Sequence, residues 1–213
     1  MVNPPTLRFT DARVREDLAT YVARARSLDD DGAIRLQSSG MALAAYVGVL
    51  PGRGLMGEGA VIGLRVMPLA EPVPDLDVVV SLRSVVDRLA RREADPSRVA
   101  VPPTTVRAGW AALAPPRSGW EPVGTLDPAS LNTAAAEGIA EITRGAPEGS
   151  GSHAVSALRQ AVWGRPTPTV PPVPSGAAFA AYALGFLTGE DARVLANGRW
   201  TRLSTSVGHV LVR

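Results

Sequence analysis

Three short apolar segments, Ala33 to Gln37, Met41 to Leu50 and Ala60 to Leu69, follow one another with glycines in the gaps between them. Their alternating or β-branched composition and the glycine punctuation read as strands that turn back on one another. This predicts an antiparallel meander, with a fourth strand starting at Asp77. Ahead of it, Val14, Leu18, Tyr21, Val22 and Leu28 recur at helical spacing, with Thr10 placed to cap the helix and Asp11 paired with Arg15 on its wet face. Behind it, Val85, Val86 and Leu89 mark the apolar edge of a second helix, which Asp95-Pro96 stops.

The second half reads differently. From Val101 to Gly124 the chain is rich in proline and carries Gly109-Trp110 and Gly119-Trp120, the pattern of an ordered loop or a domain boundary. Asp127 as cap and Pro128 in the first turn open a third helix, with Leu131, Ala135, Ile139 and Ile142 on one side and Gly145 at its end. A fourth helix, Ser152 to Trp163, leads into Gly164 to Pro174, read as a semi-rigid polyproline connector. A helix over Ala177 to Leu187 then precedes a hairpin, Arg193 to Leu203, centred on Asn197-Gly198, and a last strand, Val207 to Val212.

The fold class these elements predict is α+β: an N-terminal antiparallel sheet with flanking helices, then a helical C-terminal part ending in a β-hairpin. The domains expected are residues 1–118 and 119–213, able to pack as one unit. One echo runs through the chain. Ser39-Gly-Met-Ala-Leu-Ala-Ala-Tyr-Val-Gly-Val-Leu-Pro-Gly52 aligns with Ser175-Gly-Ala-Ala-Phe-Ala-Ala-Tyr-Ala-Leu-Gly-Phe-Leu-Thr-Gly189 through one gap. It suggests related halves, roughly 10–83 and 152–213, or a coincidence of alanine-rich composition. The first copy reads as a strand and the second as a helix, so one sequence style is assigned two structures.

All 22 basic residues are arginine; lysine and cysteine are absent, and His153 and His209 are the two histidines. Schiff-base chemistry and P-loop nucleotide hydrolysis need a lysine amine, and thiol catalysis or a thiolate zinc site needs cysteine, so these classes are excluded. The isoelectric point of about 9.6 overstates the basic character, because the formal charge is only +2 and few groups titrate near neutrality. Met1 to Glu16 carries charges and two prolines and no apolar signal core, and the longest uncharged stretches fall short of a membrane span. A cytoplasmic location without membrane contact is expected.

Several segments suggest sites. Gly52-Arg-Gly-Leu-Met-Gly57 matches G-x-G-x-x-G with Glu71 downstream, but strand-like Glu58 to Val66 follows where a dinucleotide site needs a helix. A hairpin loop is the simpler reading, on which Arg53 is the candidate to hold a carboxylate or phosphate. Trp110 and Trp120, beside proline-rich loops, are candidates to line a ligand or peptide groove, or they pin those loops to a small core. Arg83, Arg88, Arg91 and Arg92 cluster in a stretch, 83–117, of local charge +4. Residues 120–152 carry −4, so the two are read as solvated faces or as complementary surfaces.

Helix, helix and hairpin at the C-terminus follow the order of a winged helix, which makes Arg193, Arg199, Trp200 and Arg202 the candidate nucleic-acid contacts. Against this, the connector is long and proline-rich, and Gly176 to Gly189 carries no charge with which to read bases. No catalytic residue is assigned. A triad of Ser118 or Ser204 with a histidine and Asp127 or Asp191 rests on common residue types alone. No metal-ligand spacing occurs and no cofactor is expected.

With Gly109-Trp110, Pro115-Pro-Arg-Ser-Gly-Trp120-Glu, Gly198-Arg-Trp-Thr-Arg-Leu203 and Gly208-His-Val-Leu-Val-Arg213, the chain resembles uncharacterised protein families of GC-rich Gram-positive bacteria. That resemblance implies no activity. The residues favour a non-catalytic binding or protein-interaction module, its partner another protein or a second copy. The alternatives are a DNA-associated regulator working through the C-terminal hairpin and an enzyme or binder of a small phosphorylated or carboxylate ligand at the Gly52–Gly57 loop.

Overall fold

The computed structural model describes residues 5–54, 56–91, 94–146 and 151–213. Leu55 of the glycine loop, Arg92 of the arginine cluster and Gly149-Ser150 ahead of His153 lie outside them. The chain forms two compact units: the first takes the chain up to Val49 and Leu64–Ala112, the second Leu50–Gly63 and Leu113–Arg213.

In the first unit, β1 (Thr6–Arg8) pairs antiparallel with β6 (Arg98–Ala100), and α1 (Ala12–Leu28) follows β1. The meander forms as its pattern predicts. β2 (Ala33–Ser39), β3 (Ala42–Leu50), β4 (Val61–Pro68) and β5 (Asp77–Ser81) carry the order β5-β2-β3-β4, with Leu64–Pro68 the part of β4 in this unit. Alternation fixes the register: Leu43, Ala45 and Val47 are buried and the residues between them half-buried. α1 buries Leu18, Tyr21, Val22 and Ala25, and the Tyr21 hydroxyl donates to the Ala45 carbonyl at 3.3 Å. Burial pushes the Tyr21 phenol well above its usual range, so it stays a neutral donor.

Two local expectations for this helix are corrected. The cap is Asp11, whose carboxylate accepts from the Arg13 and Val14 amides at 2.8 and 3.1 Å. Arg15 is therefore not Asp11's partner; it donates to the backbone carbonyls of Leu89 and Arg98. α2 (Leu82–Leu89) is capped by Ser81 and ends at Ala90, before the Asp95-Pro96 stop. Past β6, a single 3-10 turn (Gly109–Ala112) closes the unit: Arg35 reaches the Ala111 carbonyl at 3.2 Å, and Trp110 lies over Gly48. A methyl group at position 48 would come within 2.4 Å of that indole.

In the second unit, β7 (Glu121–Leu126), β8 (Ala192–Asn197), β9 (Trp200–Ser204) and β10 (His209–Val212) form an antiparallel sheet in the order β10-β9-β8-β7, with Val61–Gly63 of β4 beyond β10. The C-terminal part is mostly helical and ends in the expected hairpin and last strand; β7 is the strand that the sequence pattern does not place. Of the helices α3 (Pro128–Gly145), α4 (Ser152–Gly164) and α5 (Ser175–Ala183), α5 packs on β10 of the sheet and on α3 and α4. Asp127 caps α3 as expected, accepting from the Ser130 amide at 2.9 Å. The buried stripe of α3 is Leu131, Ala134, Ala135 and Gly138, whereas Ile139 is exposed. The deciding contact is Trp163, whose ring fits only because Gly138 has no side chain: a Cβ there would lie 2.3 Å from it.

Two further expectations change. The segment 164–174 closes on itself, with the Thr167 amide donating to the Val173 carbonyl at 2.7 Å and the Val173 amide to the Thr167 hydroxyl at 3.1 Å. The β8–β9 turn is centred on Gly198-Arg199, since Asn197 pairs with Trp200; Gly198 takes the positive φ of 56° at the first central position. The winged-helix order gains no support from the packing, because α5, where the recognition helix would stand, is buried from Gly176 to Ala181.

Candidate functional site

The β9–β10 turn brings together the residues that stand out chemically. Thr205 builds it: its hydroxyl accepts from the Gly208 amide at 3.2 Å, and its amide donates to the Gly208 carbonyl at 2.9 Å. That turn sets His209 opposite Ser204. On the next strand Arg193 also faces Ser204, and Arg202 stands two residues before it, so pleat geometry puts all four side chains on one face.

The guanidinium of Arg202 is the centre of the cluster. Its Nε donates to Ser204 Oγ at 2.8 Å, and Nη2 lies 3.3 Å from each ring nitrogen of His209. Ser204 Oγ is 3.1 Å from His209 Nδ1. Above, the Trp120 ring covers the guanidinium at 5.7 Å, in cation–π range, and its Nε1–H is tied to the Pro116 carbonyl at 3.0 Å. Burial, followed by the charges of Arg202 and Arg193, lowers the His209 pKa to about 4.

This arrangement is unsuited to acyl transfer although serine and histidine touch. A catalytic histidine must become an imidazolium, which a third group then stabilises. Here two cations oppose that charge, and Ser204 is only 2% exposed. Of the acids weighed as a third member, Asp127 serves as the cap of α3 and Asp191 is exposed on the approach to β8. Ser118 is exposed and gives its carbonyl to Asn197 at 2.9 Å. His153 is exposed on α4. No group of three histidine, cysteine or acidic residues that could hold a metal ion occurs among the described residues.

The remaining candidates divide. Arg53 is exposed at the tip of a hairpin that its own backbone closes with Glu58, at 2.8 and 3.0 Å. The loop opens into β4 and no helix, so the dinucleotide reading fails on geometry. Trp110 is half-buried over Gly48, pinning its loop to the core. Trp200 is 5% exposed, with the Arg213 guanidinium 5.5 Å from its ring, so it presents no face on which a base could stack. Arg193 and Arg199 are exposed and Arg202 half-buried. Trp120 and Arg202, read as parts of different sites, form one site. Ser204 and a histidine enter the sequence reading only as common residue types, because five residues of separation say nothing until the Thr205 turn fixes the register of Ser204 and His209. The charged stretches find local partners: Glu141 pairs with Arg165, and Asp95 with Arg8 and Arg98.

One strand edge in each unit is guarded. β7 carries Pro122 and a bulge between Pro122 and Gly124, which interrupt the ladder an added strand would need. In the first unit, the Val106 amide donates to the Val79 carbonyl at 2.9 Å, covering part of the β5 edge.

Residues 2–112 match the family described as a domain of unknown function, DUF8010, and residues 115–213 the one described as a domain of unknown function, DUF8185. No curated protein matches the sequence. Among solved structures the chain is similar to the DNA polymerase III subunit beta of Pseudomonas aeruginosa. The TM-score is 0.50 at 12% identity, covering 98% of this chain and 63% of that one. It is equally similar to the DNA polymerase III beta chain of Streptococcus pneumoniae TIGR4, with TM-score 0.50, 12% identity, and 100% and 64% of the two chains covered. The chain spans less than two thirds of either. At such identity the likeness is one of fold, and the fold is α+β.

Proposed function

Because the chain belongs to the family described as a domain of unknown function, DUF8010, we propose its function from geometry: a non-catalytic module that binds another protein through the β7–β10 face. The observation that carries this is the fixed Arg202. Interface hot spots are rich in tryptophan and arginine, and a side chain already held in its bound conformation loses little entropy on contact. Ser204, His209 and Trp120 hold the Arg202 guanidinium in that way, while it remains half-exposed. Arg193 and the exposed Thr125 opposite it on β7 extend the surface beside it, and Val123, 51% exposed at the β7 bulge, stands two residues before Thr125. A carboxylate-bearing partner suits these cations. The guarded edges of β7 and β5 favour face contact over strand addition. In this reading the division into domains at about residue 118 leaves the whole binding face within 119–213.

Native mass spectrometry of the protein isolated from its own host tests the proposal. A retained protein subunit, whether a partner or a second copy, is the expected result. A bare monomer, or one carrying only a small molecule, contradicts it.

A second reading takes support from exposed Arg193 and Arg199 and from the DNA polymerase III subunits that share the fold. It makes the protein DNA-associated through the β8–β9 hairpin, with phosphate contacts only, since Trp200 is buried. Its affinity for duplex DNA would fall steeply with salt and drop again in Arg193→Gln and Arg199→Gln. Fluorescence anisotropy at two salt concentrations decides it.

A further inference from the structure

The helical side of the second unit holds a cleft of about 270 Å³, lined by residues of α3, the end of α4 and the closed loop after it. Its exposed walls are Pro166 and Pro168, with Ser175 beside them and Ala134 and Val162 buried behind, and two carboxylates, Glu137 and Glu141, stand one helical turn apart along its rim. Arg165 approaches from the loop and pairs with Glu141. Glu137 has no hydrogen-bond or ion-pair partner among the described residues. The cleft therefore combines a small apolar strip, Pro166 and Pro168, with a largely polar rim that holds one engaged and one unengaged carboxylate, and α3 lies in a stretch of chain, 120–152, whose local charge is −4.

We propose that this cleft receives an arginine side chain from a basic segment of a partner protein. The fit follows from shape and charge. The aliphatic stem of an arginine lies along apolar surface while its planar head reaches a carboxylate with two parallel donors. The two exposed prolines, Pro166 and Pro168, supply that surface, and Glu137 supplies the carboxylate. Arg165 already shows a guanidinium engaging Glu141 at this rim. Gly138 forms the floor, with the Trp163 ring directly behind it, so the indole reports on the cleft without lining it. This surface is separate from the Arg202 face and does not rest on the function assigned there.

The test uses the intact protein and two blocked tripeptides, acetyl-Gly-Arg-Gly-amide and its citrulline counterpart, which keeps the shape and loses the charge. Chemical shifts of the 134–141 amides and of the Trp163 indole N–H are followed in two-dimensional NMR spectra. The expected result is saturable shifts with the arginine peptide, none with citrulline, and roughly tenfold weaker binding in Glu137→Gln. Glu137 is exposed, so that variant leaves the fold intact, and unchanged shifts elsewhere in the spectrum verify it. No saturable shift at these residues, equal shifts with citrulline, or undiminished binding in Glu137→Gln each overturns the proposal. Those outcomes leave the Arg202 face untouched, and a failure at Arg202 leaves the cleft untouched.

Discussion

Residues 39–52 and 175–189 are written in nearly the same alanine-rich sequence, yet the first contains β3 and the second α5. The difference lies in what surrounds each alanine. In β3 the side chains alternate, so Ala45 is fully buried while Ala44 and Tyr46 are half-buried. In α5 every residue from Gly176 to Ala181 is buried, because α3, α4 and β10 enclose the helix. The aligned glycines divide in the same way. Gly40 sits in a turn at φ 57° with nothing near its missing Cβ, whereas Gly176 lies where a Cβ would meet Leu50 and Val61 at 2.9 and 3.0 Å. Small residues are needed in the first copy for a backbone conformation and in the second for close packing, and composition alone does not separate the two.

The largest expected contrast comes from adding volume at the matched alanines. Ala180→Leu should cost about 3 kcal/mol, because Ala180 is fully buried, whereas Ala44→Leu, at a half-buried position, should cost less than about 1 kcal/mol. Urea unfolding of the two variants checks this, and equal losses would break the comparison.

A second contrast is set by pH. His209 lies on β10, against which α5 packs, and β3 carries no histidine. Its folded pKa of about 4 is below the ordinary 6.5, so the unfolded chain binds the proton more readily between those values. Stability is therefore complete above pH 6.5 and falls as pH drops toward 4. By pH 5 the loss attributable to this group is about 2 kcal/mol. Denaturation at pH 7 and pH 5 should show that loss in the wild type and not in His209→Gln; equal pH dependence in the two proteins would remove the cluster's electrostatic account.

The smallest contrast separates the two glycine roles. Gly40→Ala should cost about 1 kcal/mol, and Gly40→Asn less, because asparagine tolerates the left-handed backbone. At Gly176 both substitutions should destabilise, with asparagine the worse of the two, since the barrier there is steric. Thermal unfolding of the four variants distinguishes the cases.

Legibility follows the same division between local and nonlocal causes. The meander, the Asp127 cap and the β8–β9 hairpin are written in residues close together in sequence, and they form within a residue or two of where the pattern places them. What did not show depends on partners far along the chain. Gly138 accepts the Trp163 ring and so turns α3 away from the Ile139 stripe. Thr167 folds a proline-rich stretch back on itself, although its composition suggests a spacer. The site shows this most clearly. Trp120, Arg193 and Arg202 are visible as candidates, but only strand order and register reveal that Trp120 covers Arg202 and that Ser204 and His209 support it. Arg53 and Trp110, singled out on the same local criteria, lie on a hairpin tip and against Gly48.

The most direct test of the binding face is photo-crosslinking from a benzoyl-phenylalanine placed at exposed Val123, in the wild-type protein and in Arg202→Gln, within its native cells. A discrete protein adduct from Val123, absent from a control position at exposed Ala154 and reduced at least tenfold in Arg202→Gln at unchanged thermal stability, is the predicted result. No adduct, or one whose yield is indifferent to Arg202, would contradict the account.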